Sequence, residues 1–88
     1  MNTRELIGWN MRRLRVARGL SQERLALETG IDRSYVGRIE RGSENVTVNA
    51  LEAIATVLKV PVAELFREPV PGETAPPPLR AGRKPKVM

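Results

Sequence analysis

Residues Gln22–Arg41 read QERLALETGIDRSYVGRIER, two short segments with one glycine between them. Ser21 stands just before the first segment and is a good N-cap, since its hydroxyl can accept an orphan backbone N–H of the first turn. Gln22, Glu23 and Arg24 then form that turn, and Leu25 and Ala26 face inward. Gly30 ends the helix, because glycine enters the left-handed conformation without the penalty other residues meet. Asp32 caps a second segment over about Arg33 to Arg41, with Val36 and Ile39 on its buried side and Gly42 as its stop. Ala26 is small where the two helices would cross closely, and Leu25, Ile31, Val36 and Ile39 supply the apolar contacts that lock the crossing. Such a pair forms a helix-turn-helix pattern.

The chain around this pair is also helical. Upstream, Ile7, Met11 and Leu14 recur on one face of a helix expected from about Arg4 to Arg18, capped by Thr3 or Asn2 and stopped by Gly19. Trp9 lies beside that stripe and reads as core or half-buried packing. Downstream, a polar loop from Ser43 to Asn45 leads to Thr47, a cap for a fourth helix carrying Leu51, Ile54, Ala55 and Leu58. Pro61 suits the first position of a short fifth helix with Val62, Leu65 and Phe66. No useful length alternates with period two, so strands are not expected. The fold class is therefore all-α, a compact five-helix body over residues 1–67.

From Pro69 the composition changes. Residues 69–88 hold six of the seven prolines, and their few apolar residues have no period. Such a stretch buries too little apolar surface to offset its ordering entropy, so residues 68–88 are expected to form a flexible Pro-rich basic tail. Part of it, around Pro76-Pro77-Pro78, suits polyproline II.

Composition narrows the function. With 88 residues the chain holds one domain. It has no cysteine and no histidine, so disulfides, thiol chemistry, the commonest general base and the commonest metal ligand are absent. No phosphate loop or paired buried carboxylates appear, so no enzyme, cofactor, metal or small-molecule ligand is expected. No apolar run nears the roughly 18 residues of a membrane span, and the N-terminus lacks a secretory core, which fits a cytoplasmic protein. The net charge of +5 favours a polyanionic partner. Residues 1–66 carry ten Lys/Arg against eight Asp/Glu, while residues 67–88 carry five against two, so over half of the excess lies in the tail. Charge alone does not settle the function.

The outer face of the helix from Arg33 does more. It presents Arg33, Ser34, Gly37, Arg38 and Arg41, with Tyr35 at its edge. Arginine can reach guanine with two hydrogen bonds, and a helix clamped on one side only can enter a major groove. The alternative is a solvated charged face, against which stands the fact that its charges are arginines. Gly37 can let the helix approach closely, although it costs about 1 kcal/mol relative to Ala in a helix. Glu44, in the following loop, would repel phosphate if it faced the duplex.

The spaced set Ser21-Gln22, Leu25-Ala26, Gly30-Ile31, Val36, Ile39-Glu40-Arg41-Gly42, Leu51 and Ile54 resembles the Cro/phage-repressor helix-turn-helix family over roughly residues 4–66. Asp32-Arg33-Ser34-Tyr35-Val36 and Ser43-Glu44-Asn45 also resemble the controller proteins of restriction–modification systems, a branch of that family. The resemblance implies a lambda-repressor-like body of bacterial or phage origin acting on double-stranded DNA. It implies base contacts from Arg33, Ser34 and Arg38, and backbone contacts from Gln22, Tyr35, Arg41, Ser43, Asn45 and Thr47. It further implies a structural salt bridge between Arg15 and Glu40. Val62, Leu65 and Phe66 would belong to a twofold dimer interface, placing two recognition helices about 34 Å apart on an inverted repeat.

Two points stay open. The arginines at 12, 13, 15 and 18 suit a solvated face or a supporting phosphate role. The tail, with Arg80, Arg83, Lys84 and Lys86, suits an electrostatic arm, a solubilising tail or a partner-binding segment. The last would make the protein an antitoxin-like or other protein-partner-binding module on the same fold.

Overall fold

The computed structural model describes residues 1–74, and the basic cluster and Pro76–Pro78 lie outside the described residues. Four α-helices and one 3-10 helix follow in order: α1 Thr3–Ala17, α2 Gln22–Thr29, α3 Arg33–Glu40, α4 Val48–Leu58 and the 3-10 helix Val62–Phe66. Among the described residues there is no strand, and no helix is long and apolar enough to cross a membrane.

Local capping sets each start. Asn2 accepts from the Glu5 amide while Glu5 accepts from the Asn2 amide, a reciprocal capping box. Ser21, Asp32 and Thr47 each accept an amide two or three residues on and open α2, α3 and α4. The fifth element differs from the expectation in two ways. It is a 3-10 helix, and Pro61 precedes it as the cap residue, with extended backbone, instead of forming its first turn. Five residues are too few for a packed α-helix, and the tighter 3-10 winding is common in such short pieces.

The core is shared by all five elements. Ile7 and Met11 of α1, Leu25 and Ala26 of α2, Val36 and Ile39 of α3, Leu51, Ile54, Ala55 and Leu58 of α4, and Leu65 pack in one cluster, with Leu14, Leu20, Ile31 and Tyr35 against it. Met11, Leu25, Val36, Ile54 and Leu65 are fully enclosed. Burial of this kind contributes roughly 1.5–3 kcal/mol per large side chain before the entropy of ordering is counted.

Asn10 is a buried polar residue that the apolar pattern did not mark. Its amide donates to the carbonyls of Leu6, Leu65 and Arg67 at 3.1, 3.1 and 2.8 Å, tying α1 to the end of the 3-10 helix. Its oxygen accepts from Arg13 at 3.0 Å. Trp9, half-buried as expected, has the guanidinium groups of Arg13 and Arg67 over its ring at 5.7 and 5.6 Å. Arg67 also pairs with Glu73 at 2.9 Å, so the described start of the tail folds back on α1.

Helix α4 ends on Lys59 at φ 59°, the left-handed conformation, with Val60 N bonded back to Ala55 O. A side chain in that conformation costs roughly 1–2 kcal/mol, and Lys59 is exposed. Lys59→Gly is therefore expected to raise the melting temperature by about 4–8 °C, the equivalent of about 1 kcal/mol in a domain of this size. An unchanged or lower melting temperature would show that unfolded-state entropy outweighs the relief.

Candidate nucleic-acid interface

Helix α3 is held from behind and left open in front. Its buried residues Val36 and Ile39 enter the core, and Gly37 between them is also buried. On one flank α1 crosses it at Gly8, where a Cβ would lie only 2.4 Å from Ile39 O and 2.9 Å from Glu40 O. The two backbones are thus in direct contact, which only glycine permits.

Arg15 and Glu40 fasten the same crossing. Arg15 Nε and Nη2 donate to the two Glu40 carboxylate oxygens at 2.6 and 3.0 Å, and Nη1 donates to Leu20 O at 2.7 Å. The side chains are 3% and 5% exposed, so this is a buried bidentate pair with each guanidinium nitrogen used. The expected structural pair is therefore present. Gln22 Nε2 donates to the same carboxylate at 3.0 Å, adding α2 to the joint.

The far side of α3 is open. Arg33 and Ser34 are exposed, and Tyr35 and Arg38 are partly so. Ser34 donates its hydroxyl to the Asp32 carboxylate, which also accepts the Ser34 amide at 3.0 Å. These two bonds hold the Asp32 carboxyl below its ordinary value. Arg38 Nε donates to Glu44 at 2.6 Å, and that bond raises the guanidinium further above its usual range. The Arg38 guanidinium also lies over the Tyr35 ring at 5.7 Å, and its Nη1 is 3.4 Å from Ser34 Oγ. Tyr35 Oη accepts the Thr47 amide at 3.3 Å and keeps its own proton to donate.

The other expected backbone contacts surround this face. Ser43, Asn45 and Thr47 are exposed in the loop after α3. Ser43 donates to Arg38 O at 3.2 Å, and Thr47 Oγ1 caps α4 at Ala50 N. Gln22 begins α2 beside α3, and Arg41 is the exposed C-cap of α3. A Cβ at Gly37 would meet Arg41 Nη1 at 3.3 Å and Gln22 Oε1 at 3.9 Å. What the missing side chain makes room for is Arg41. Gln22 and Arg41 thus meet beside Gly37, while Ser34, Ser43 and Thr47 are each bonded to Arg38 or Tyr35 of α3. Val62 and Phe66 are 37% and 38% exposed on the 3-10 helix, whereas Leu65, expected with them at an interface, is instead enclosed in the core. The core takes Leu65 and leaves Val62 and Phe66 at the surface.

Three residues that shape the site were not singled out in the sequence: Gly8, Asn10 and, as a partner of Arg38, Glu44. Gly8 is an isolated glycine inside a helical pattern, a signal for close backbone approach. The partners Leu65 and Arg67 of Asn10 lie far along the chain, and the partner of Glu44 lies across a turn, beyond any spacing rule.

A small helical body that clamps one helix from behind and presents its arginine-bearing face defines a DNA-binding helix-turn-helix module. The chain belongs to the helix-turn-helix family, whose model matches residues 11–65. It is 39% identical over 66 residues to the Neisseria hypothetical transcription factor of Neisseria meningitidis, a match covering 75% of this chain and 62% of that protein. The crystal structure of the restriction–modification controller protein C.AhdI from Aeromonas hydrophila superposes with a TM-score of 0.70 at 48% identity, over 72% of this chain and 96% of that one. C.Esp1396I bound to a 19 base pair DNA duplex superposes with a TM-score of 0.68 at 32% identity, over 75% and 88% of the two chains. The controller-like branch suggested by residues 32–36 and 43–45 is thus among the relatives.

Proposed function

We propose that this protein is a sequence-specific transcriptional regulator that binds an inverted-repeat operator as a homodimer, reading each half-site with α3 in the major groove. The observation that carries the reading is the face formed by Arg33, Ser34 and Arg38. It stands clear of the core on a helix anchored at Gly8 and Glu40. A protein of 32% identity, C.Esp1396I, is known bound to a 19 base pair DNA duplex, which supports the reading.

The roles follow from chemistry. Phosphate contacts from Gln22, Tyr35, Arg41, Ser43, Asn45 and Thr47 set the register, and Arg33, Ser34 and Arg38 discriminate bases. Val62 and Phe66 supply exposed apolar surface for the twofold contact, with Leu65 bracing it from within. Residues 1–67 form the DNA-binding unit, 68–88 an appended basic segment, and the work is done in the cytoplasm. The function is binding, with no chemical step.

Selection from a randomised duplex pool at moderate salt tests this. An inverted repeat with half-sites about one helical turn apart is the expected result. Arg33→Ala should relax one position per half-site, at a cost of about 1–3 kcal/mol in discrimination. Retention without an enriched motif, lost steeply as salt rises, would mean that phosphate attraction alone governs binding and would overturn the proposal.

A further inference from the structure

An acidic residue facing a polyanion weakens binding, yet Glu44 sits among the residues assigned to DNA. Its position is built, not incidental. After α3, Gly42 takes φ 76°, and the chain turns back with Gly42 N bonded to Ile39 O and Ser43 N to Arg38 O. The Ser43 hydroxyl makes a second bond to that same Arg38 carbonyl. At Gly42 a Cβ would also lie 2.9 Å from Glu5 Cγ, so only glycine makes this turn against α1. The turn sets Glu44 against Arg38, with Oε1 2.6 Å from Nε. The Glu44 side chain is 23% exposed and that of Arg38 is 43%, so the carboxylate is the more sheltered partner and the guanidinium the more open one.

We propose that Glu44 is a positioning residue for base recognition, holding Arg38 by Nε so that its terminal nitrogens are aimed at one base pair. This rests on the reading of α3 as the base-reading helix. Glu44 holds the guanidinium from one edge, the Tyr35 ring lies against its face, and Ser34 Oγ is near Nη1. Nη2 makes no bond among the described residues. With Nε occupied, Arg38 approaches guanine end-on, through the paired terminal donors that match O6 and N7. A free arginine would also reach for the nearest phosphate, which carries no sequence information. Glu44 therefore lowers affinity for DNA in general and raises discrimination by pre-organisation.

The test compares wild type, Glu44→Ala, Glu44→Gln, Arg38→Ala and the Arg38→Ala/Glu44→Ala double variant, using the full chain on randomised duplexes and on non-specific duplex across a salt series. Glu44→Ala should lower discrimination about tenfold at one base pair per half-site, the order of one bidentate contact. Its non-specific affinity should rise severalfold, with the salt slope steeper by up to about 0.9, one phosphate contact. Glu44→Gln, which keeps an acceptor for Nε without the charge, should retain part of the discrimination. In the Arg38→Ala background, removing Glu44 should leave the base profile unchanged. The melting temperatures should stay close to wild type, because a partly exposed pair contributes little to stability.

A wild-type motif that Glu44→Ala leaves intact overturns the role of Glu44 alone. So does a loss that persists in the Arg38→Ala background or spreads evenly over all positions. No wild-type motif at all overturns both this role and the reading of α3 beneath it.

Discussion

Glu40→Ala is expected to lower the unfolding free energy by about 3–5 kcal/mol, the cost of leaving a buried charge without its partner. The charge stranded is Arg15, whose side chain is 3% exposed and whose Nε and Nη2 both depend on Glu40. Gln22 loses its acceptor in the same step. Against a typical total of about 5–15 kcal/mol for a native domain, that loss leaves a marginal fold. Urea unfolding followed by circular dichroism should show a lower midpoint with an unchanged slope. Replacing both partners with apolar residues of similar volume, Arg15→Met with Glu40→Leu, should recover much of the loss, since the desolvation of both charges disappears with them. The recovery should be incomplete, because Gln22 still lacks its acceptor and Leu20 O now loses its Arg15 donor as well. A cost below about 1 kcal/mol for Glu40→Ala would place the pair in the class of solvated surface bridges and sink this account.

Gly8→Ala is expected to lower stability by about 2–3 kcal/mol, although alanine is favoured over glycine in a helix by about 1 kcal/mol. The new methyl would lie 2.4 Å from Ile39 O and 2.9 Å from Glu40 O, both backbone atoms of the C-terminal turn of α3. Backbone in a helix cannot swing aside as a side chain can. Either α1 or α3 must move, and both carry the Arg15–Glu40 pair across the same crossing. The melting temperature should fall by about 10–20 °C for a loss of this size. DNA discrimination should fall with it, since α3 would be displaced relative to the residues proposed to contact the flanking phosphates. A rise in melting temperature would mean that helix propensity decides this position and that the crossing is looser than the structure shows.

These two positions divide what a chain can announce from what it cannot. The helix starts were legible because capping is local. Ser21, Asp32 and Thr47 each accept an amide within three residues, so the signal and its partner lie in one short window. The core was legible for a similar reason. Periodic apolar residues such as Ile7, Met11, Leu51, Ile54 and Leu58 must share a face whatever they pack against. The 3-10 winding of Val62–Phe66 was not legible, because a five-residue segment has no period to read and its geometry follows from where α4 and α1 leave room.

The residues proposed to face DNA were legible as types and spacing. The reading of Arg33, Ser34 and Arg38 needed only a helix whose other side was clearly apolar. The sequence by itself therefore determined an all-α helix-turn-helix body, the helix that presents its arginines, and the residue types offered to a polyanion. Only the tertiary structure decided how that helix is held and aimed. Gly8 against the Ile39 and Glu40 carbonyls, Asn10 under the 3-10 helix, and Glu44 against Arg38 are contacts between residues 6 to 57 positions apart. The first two meet only after the helices have packed, and the third only once the turn at Gly42 has closed, so no propensity or period announces them.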